Sequence, residues 1–113
     1  MKLPNAESAV VEREKITDYL LNPAHRYGAS KARFFEAFGF GLDKWQDLAD
    51  ALREHGQAHE VIKTKQTVFG PRFEVDGELS TPSGRRPRVR TVWQLDLGQA
   101  APRLITAYPS EAE

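Results

Sequence analysis

One stretch of the sequence concentrates cationic side chains that can bind phosphate. It lies at a predicted hairpin tip and in the following strand, and it holds four arginines: Arg85, Arg86, Arg88 and Arg90. A guanidinium group can bind phosphate through two parallel hydrogen bonds. For Arg85 and Arg86 the alternative is a solubilising turn that keeps a sheet edge from pairing with other chains. Arg90 is predicted mid-strand beside Thr106 and Tyr108, which favours a binding role.

A predicted loop between two helices supplies further candidates. His25 lies in this loop, and histidine is the natural general base or acid near neutral pH; an ordinary surface histidine is the alternative. Lys31 opens the apolar side of the next helix, so its ammonium is directed toward the core side, unless its stem extends to water. Tyr27 is able to stack on a base of single-stranded nucleic acid, although isolated aromatic residues more often pack.

Other chemistries have little support in the sequence. The chain has no cysteine, and its histidines, His25, His55 and His59, do not form an HExxH pattern. It also lacks the glycine-rich phosphate loop and the GxSxG motif. We therefore expect neither a metal site nor a cofactor. His55 and His59 are interpreted as capping or surface residues at the end of the third predicted helix.

Composition predicts one small domain. The chain has 113 residues, 40% of them hydrophobic, which is sufficient for a single core without disulfides. The 16 basic and 16 acidic residues leave no net charge, so any nucleic-acid site must be local. No apolar stretch approaches the roughly 18 residues of a membrane helix, and no export signal is evident. We therefore expect a cytoplasmic protein with no membrane partner; the alternative is export as part of a larger secreted protein, which would leave the same domain signature.

The hydrophobic period changes from helical to alternating near Gly56. The first helix is predicted over 12–21, with Ile16, Tyr19 and Leu20 on one face, and the second over 31–38. The third is predicted from an apolar stripe at 45–52, with a capping box at Asp43 before it and Gly56 as its end. Strands are predicted over 61–69, 72–79, 87–97 and 103–108. The expected fold is α+β, with about three N-terminal helices packed on one face of a four-stranded antiparallel sheet meander. It forms one domain over 1–113, with a helical part at about 1–56, a sheet part at about 57–109 and a short C-terminal tail.

Alternation assigns the two faces of the predicted sheet. On the third strand the side chains expected to face the helices are Val89, Thr91, Trp93, Leu95 and Leu97. Those expected to meet solvent are Arg88, Arg90, Val92, Gln94 and Asp96. On the last strand Ile105 and Ala107 suit the covered side. That choice places Leu104, Thr106 and Tyr108 on the open face.

Two segments carry a resemblance to a known family. Residues 20–35 follow the pattern LLNPxHxxGxxKAxxF, and residues 102–109 read PRLITAYP. Together with residues 2–6, 90–91 and Trp93, they resemble an uncharacterised bacterial domain family. Its members are found as small standalone proteins and at the carboxyl ends of large filamentous-haemagglutinin-like polymorphic toxins. The resemblance covers nearly the whole chain.

The order of helices and strands is also similar to the barnase, EndoU, colicin and RelE-like superfold of metal-independent ribonucleases. This second resemblance implies RNA cleavage, in which a ribose 2′-hydroxyl attacks its own phosphate. The resemblance implies that His25 is the base or the acid and that Lys31 and Arg90 bind the phosphate. It also implies that the hydroxyls of Thr106 and Tyr108 contact the phosphate or the leaving group. The residues left to bind more of the substrate are Arg85, Arg86, Arg88 and Tyr27.

The implied partners are RNA and a cognate immunity or antitoxin protein. An acidic partner covering the arginine strand would block a phosphate site there. A different class of function remains open, namely a non-catalytic bacterial interaction module of the same fold. Balanced charge and ordinary composition are sufficient for such a module, and a fold does not by itself imply an activity.

Overall fold

A computed structural model describes residues 1–110 and contains a helical layer followed by a sheet. The helices are α1 (Arg13–Lys15), continued by a π-helical segment (Ile16–Leu20), α2 (Ala29–Ala37) and α3 (Trp45–Ala58). The strands are β1 (Val61–Thr67), β2 (Gly70–Glu78), β3 (Arg88–Gln94) and β4 (Arg103–Pro109), in the order β1-β2-β3-β4 with every pair antiparallel. The predicted α+β architecture is confirmed. No helix in this part of the chain combines the length and apolar character that crossing a membrane requires.

The core lies between the helices and one face of the sheet. Phe35 of α2 and Trp93 of β3 are fully buried, as are Ile16 and Leu20 of the π-helical segment. Fully burying a side chain of this size contributes roughly 1.5–3 kcal/mol. Val89, Thr91 and Trp93 of β3 are buried toward the helices, as their alternation predicts. The opposite face of the sheet carries the charged residues of β2 and β3.

The last strand departs from simple alternation at a β-bulge. Val92 pairs with Thr106 and Trp93 pairs with Leu104, so Ile105 is an extra residue in β4. Two residues instead of one therefore separate the inward-facing Leu104 and Ala107. The predicted open-face position of Leu104 is wrong, because this side chain is buried in the core. Ile105, predicted on the covered side, is only half buried.

The end of β3 also differs from its prediction. The strand ends at Gln94 instead of residue 97, and Leu97 is exposed in the following turn. Val92 and Gln94, predicted to meet solvent, are buried. Gln94 is held in place because its Nε2 donates to the Gly70 carbonyl at 3.0 Å, while Arg72 Nε donates to its Oε1 at 3.2 Å.

The third helix begins at Trp45 as predicted, but its predicted end at Gly56 and its predicted cap are wrong. α3 continues through Gly56 to Ala58. Gly56 is needed inside the helix because a Cβ atom there would lie 2.6 Å from Cζ2 of Trp93. At the other end no side chain caps the helix, so the predicted capping box at Asp43 does not form; a 3₁₀ turn, Leu42–Lys44, precedes α3 instead.

Candidate functional site

A surface groove lies where the helical layer meets β4. Its volume is about 420 Å³, and its lining residues are Lys15, Tyr19, His25, Tyr27, Ile105 and Thr106. The aromatic rings and Ile105 give it apolar walls, while the other groups present ammonium, imidazole and hydroxyl functions to the same space. The structure thus brings together three of the residues predicted from sequence: His25, Tyr27 and Thr106. No carboxylate lines the groove.

Tyr19 contacts several of the polar groups in and beside this groove. Its hydroxyl is hydrogen-bonded to Thr106 Oγ1 at 2.9 Å. The His25 ring packs against it edge-on, with the ring centroids 4.9 Å apart. The Nζ atoms of Lys15 and Lys31 each lie 5.5 Å from the centroid of the Tyr19 ring. Tyr19 is therefore the residue that joins the helical layer to β4 at this position.

Sequence reasoning assigned Tyr19 to an apolar helix face and missed this role. The π-helical turn explains how Tyr19 can lie on an apolar helix face and still contribute to the groove. The Leu21 N–H donates to the Ile16 carbonyl at 2.8 Å, five residues back, which adds one residue to the turn. Ile16 and Leu20 remain fully buried, while Tyr19 is only half buried and its hydroxyl reaches Thr106. The available signal in the sequence was that Tyr19 immediately precedes the segment LLNPxHxxGxxKAxxF, which contains His25.

The loop that carries His25 is held by its own hydrogen bonds. His25 Nδ1 accepts from the backbone N–H groups of Tyr27 and Gly28, each at 3.0 Å. Gly28 also passes very close to the preceding helical segment, since a Cβ atom there would lie 2.1 Å from the carbonyl oxygen of Tyr19. Only glycine fits at this position. The close approach fixes the His25 loop against Tyr19.

Lys31, in the first turn of α2, lies beside the Tyr19 ring but is not among the residues that line the groove. Its side chain is half buried, and Nζ donates to the Tyr27 carbonyl at 3.1 Å. The ammonium therefore lies over the loop and the Tyr19 ring instead of being directed toward the core, which corrects the prediction. Among residues 1–110 neither Lys15 nor Lys31 forms an ion pair. Both charges remain available to an anion.

The arginines of the hairpin tip and of β3 have a different environment. Three of them contact carboxylates of the neighbouring strand: Arg86 with Glu78 at 3.4 Å, Arg88 with Asp76 at 3.4 Å, and Arg90 with Asp76 at 3.1 Å and Glu74 at 3.5 Å. Arg85 is exposed at the hairpin tip. Alternation places the acidic residues of β2 on the open face, where the register sets them against the arginines. Most of the predicted phosphate patch is therefore neutralised.

Arg90 and Tyr108 lie on this open face and do not line the groove. They are paired across β3 and β4. The hydrogen bond to Asp76 raises the pKa of Arg90. Partial burial opposes ionisation of Asp76, but hydrogen bonds from Ser110 and Arg90 outweigh it, so the pKa of this carboxyl is lowered. The sequence grouped Arg90, Thr106 and Tyr108, whereas Thr106 alone turns to the groove through its bond to Tyr19.

A second groove, beside α3, has the opposite charge. Its volume is about 290 Å³, and three carboxylates line it: Asp47, Asp50 and Glu54. These groups repel phosphate, so this groove is a poor anion site. Residues 1–110 contain no cluster of three or more histidine, aspartate or glutamate side chains that could hold a metal ion.

His55 is buried in the core, so its prediction as a capping or surface residue is wrong. Its Nε2 donates to the carbonyls of Val89 at 2.9 Å and Gly77 at 3.1 Å. Its Nδ1 therefore accepts from the Thr91 hydroxyl at 3.0 Å, and that hydroxyl accepts from Trp93 Nε1 at 2.9 Å. Burial lowers the pKa of His55 to about 4. This neutral network joins α3 to the sheet.

Comparisons with known proteins place the fold. Residues 2–111 match the model of a family described as a domain of unknown function, DUF6883. No curated protein matches the chain. One chain of a contact-dependent growth inhibition toxin and immunity protein complex from Klebsiella pneumoniae 342 superposes with a TM-score of 0.74 at 16% identity. The superposition covers 95% of this chain and 97% of that one, and at this identity it shows a shared fold.

Proposed function

The chain belongs to the DUF6883 family, a domain of unknown function, and from its groove we propose that it is a metal-independent endoribonuclease-like toxin domain. One observation carries the proposal. The groove is lined by one ammonium group, that of Lys15, together with an imidazole and hydroxyl groups, and by no carboxylate. A second ammonium, that of Lys31, lies 5.5 Å from the centroid of the Tyr19 ring. A cationic, partly apolar groove suits one nucleotide with its phosphate, and its volume falls within the usual range of about 300–1,000 Å³ for ligand sites.

The proposed reaction is attack of a ribose 2′-oxygen on the adjacent phosphorus. The 2′-hydroxyl proton passes to a base as the bond between the 2′-oxygen and phosphorus forms. The bond from phosphorus to the 5′-oxygen breaks, and that oxygen takes a proton from an acid. The products are a 2′,3′-cyclic phosphate and a 5′-hydroxyl end. Negative charge accumulates on the phosphorane oxygens, and fixed cations and hydrogen-bond donors stabilise it.

The groups of the groove suit this charge distribution. Lys15 and Lys31 supply two ammonium groups that no described carboxylate neutralises. Tyr19 and Thr106 supply two hydroxyls 2.9 Å apart. Tyr27 is 64% exposed at the groove, where its ring is available to a base. Base stacking on an aromatic side chain contributes about 1–3 kcal/mol.

The test is cleavage of total and transfer RNA by the purified chain in the presence of EDTA, with the product ends mapped. We expect cleavage by the wild-type chain and a loss of about 100-fold or more in a Lys15→Gln, Lys31→Gln double variant. Lys65→Gln on β1 is a matched control, because it removes the same charge from an exposed strand position. Undiminished cleavage by the double variant, or an equal loss in the control, would contradict the groove as the site.

A Tyr19→Phe, Thr106→Val pair tests the hydroxyls separately. Each single variant removes one partner of their hydrogen bond, so the two effects should not add in a double-mutant cycle. Arg90→Gln distinguishes the groove from the open face of the sheet. We expect it to change cleavage by less than threefold, because Glu74 and Asp76 already hold its guanidinium.

The toxin part of the proposal is supported by the fold shared with a chain of a toxin and immunity protein complex. Induced expression should arrest growth of a host, and the Lys15→Gln, Lys31→Gln variant should relieve the arrest. A cognate immunity protein would have to cover the groove to block it. Its surface is then expected to place carboxylates against the two lysines.

A second candidate is a non-catalytic interaction module, and the open sheet face favours it. Arginines of β3 lie opposite carboxylates of β2 there, a mixed-sign pattern that suits a protein partner better than a polyanion. Absence of both cleavage and growth arrest, together with calorimetric binding to the product of an adjacent gene, would favour this function. Charge reversal at Glu74 should then weaken that binding.

A further inference from the structure

The hydrogen bonds of His25 restrict what its ring can do. Two backbone N–H groups, those of Tyr27 and Gly28, donate to Nδ1 at 3.0 Å each. Nδ1 must therefore present its lone pair to the loop. In the neutral ring the single proton then lies on Nε2, at the opposite edge. Within residues 1–110 Nε2 has no hydrogen-bond partner, and the ring lines the groove.

Nδ1 is occupied by two amide N–H groups, and Tyr19 and Tyr27 pack against the ring, so Nε2–H is the polar group that the ring presents to the groove. Nε2, already protonated, cannot accept a proton from a 2′-hydroxyl.

From this geometry we infer that His25 acts as a hydrogen-bond donor, through Nε2–H, to a phosphate oxygen in the groove. The inference rests on the proposed function, and it differs from the base or acid role that the resemblance implies. A neutral imidazole whose other nitrogen is occupied can stabilise a developing oxyanion in this way. The 2′-hydroxyl proton then passes to solvent water, and a lysine ammonium beside Tyr19 can protonate the leaving 5′-oxygen.

The loop also gives His25 a structural task, and two substitutions separate the tasks. His25→Asn retains an acceptor near the position of Nδ1, so it keeps the bonds to Tyr27 and Gly28, but it lacks a donor in the groove. His25→Gln extends a donor toward the position of Nε2. We expect His25→Asn to keep the unfolding midpoint and to lose about 100-fold in cleavage, while His25→Gln stays within about tenfold of wild type.

Two results from these variants would overturn the inference. Full activity of His25→Asn would mean that the side chain serves the loop alone. Equal inactivity of folded His25→Gln and His25→Ala would mean that a donor is not sufficient.

Because His25→Gln can fail to fold without its loop bonds, NMR of the wild-type chain provides a separate measurement. Long-range ¹⁵N spectra should show an unprotonated Nδ1 and a protonated Nε2 at neutral pH. A proton on Nδ1 would refute the inference directly.

Binding of cytidine 3′-monophosphate, which the reaction cannot cleave, distinguishes failure of the inference from failure of the proposed function. We expect the Nε2–H resonance to shift on titration with this nucleotide. Cleavage of RNA without such a shift would overturn the donor role alone. No cleavage and no shift would overturn both.

Discussion

Acidification from pH 6.5 toward pH 4 should destabilise this protein through one buried side chain, His55. Its pKa falls from 6.5 to about 4 in the folded chain, chiefly because burial disfavours the imidazolium. The folded state therefore binds the proton more weakly than the unfolded state does. The stabilisation is fully present above pH 6.5 and is lost as the pH falls to about 4. At 1.36 kcal/mol per pKa unit, the loss reaches about 3 kcal/mol.

A loss of this size is a large fraction of the roughly 5–15 kcal/mol that stabilises a small domain. It follows from the geometry, since protonation of Nδ1 would end its acceptance from the Thr91 hydroxyl, 3.0 Å away. Nearby His59, whose ring centroid lies 4.8 Å from that of His55, adds repulsion between charges. Within residues 1–110 the three carboxyls with lowered pKa values, Glu60, Asp76 and Asp96, lose their contributions only as the pH falls below their ordinary values of 4.5 for glutamate and 3.8 for aspartate.

Urea unfolding at pH values from 7.5 to 4.5 provides the measurement. The free energy of unfolding of the wild-type chain should fall steadily below pH 6.5. His55→Gln should be less stable at pH 7.5 but should lose most of this pH dependence, whereas the control His59→Gln should retain it. An equal pH slope in the wild-type chain and His55→Gln would refute the reasoning, because the slope would then arise from other groups.

Three further substitutions test the packing and the site. Gly56→Ala should lower the free energy of unfolding by about 1–3 kcal/mol, because its Cβ would lie 2.6 Å from Trp93, and Trp93→Phe in the same chain should recover part of the loss in urea unfolding. Asp76→Asn should destabilise the chain by about 1–3 kcal/mol, since it weakens the bonds to two arginines and Ser110, yet change RNA cleavage by less than threefold. Gly28→Ala should abolish cleavage, because its Cβ would displace the Tyr19 carbonyl. Amide NMR should show that the change is confined to this region and that the rest of the core stays folded; unchanged cleavage would contradict the proposed groove.

The order of helices and strands could be predicted because each period spans several residues and turn residues interrupt it. The bulge at Ile105 could not, because a single extra residue reverses the alternation without changing the composition of the strand. The predicted helix end at Gly56 was wrong for a related reason. In a sequence a glycine near a helix end indicates a stop, whereas here it admits the Trp93 indole inside the helix.

The buried position of His55 was within reach of sequence reasoning. Leu48, Leu52 and His55 share one face of α3 at spacings of four and three residues, and both leucines are fully buried. The partners of His55 were not predictable, since they are two carbonyls and a hydroxyl on β2 and β3. The groove was predicted in part: the loop and β4 supplied His25 and Thr106, but Tyr19 depends on the π-helical turn.

The arrangement of charge explains how a chain with no net charge can hold an anion site. On the open face, arginines of β3 meet carboxylates of β2 in adjacent strands, and such cross-strand pairs stabilise a sheet by roughly 0.2–1 kcal/mol each. The arginine side chains of β3 therefore stabilise the sheet. Lys15 and Lys31 come from the helical layer. Lys15 lines the groove, Lys31 lies against the Tyr19 ring, and no carboxylate lines the groove. A local excess of positive charge therefore arises at the groove even though the 16 basic and 16 acidic residues balance over the chain, which is why the phosphate is expected beside Tyr19 and not along the arginine strand.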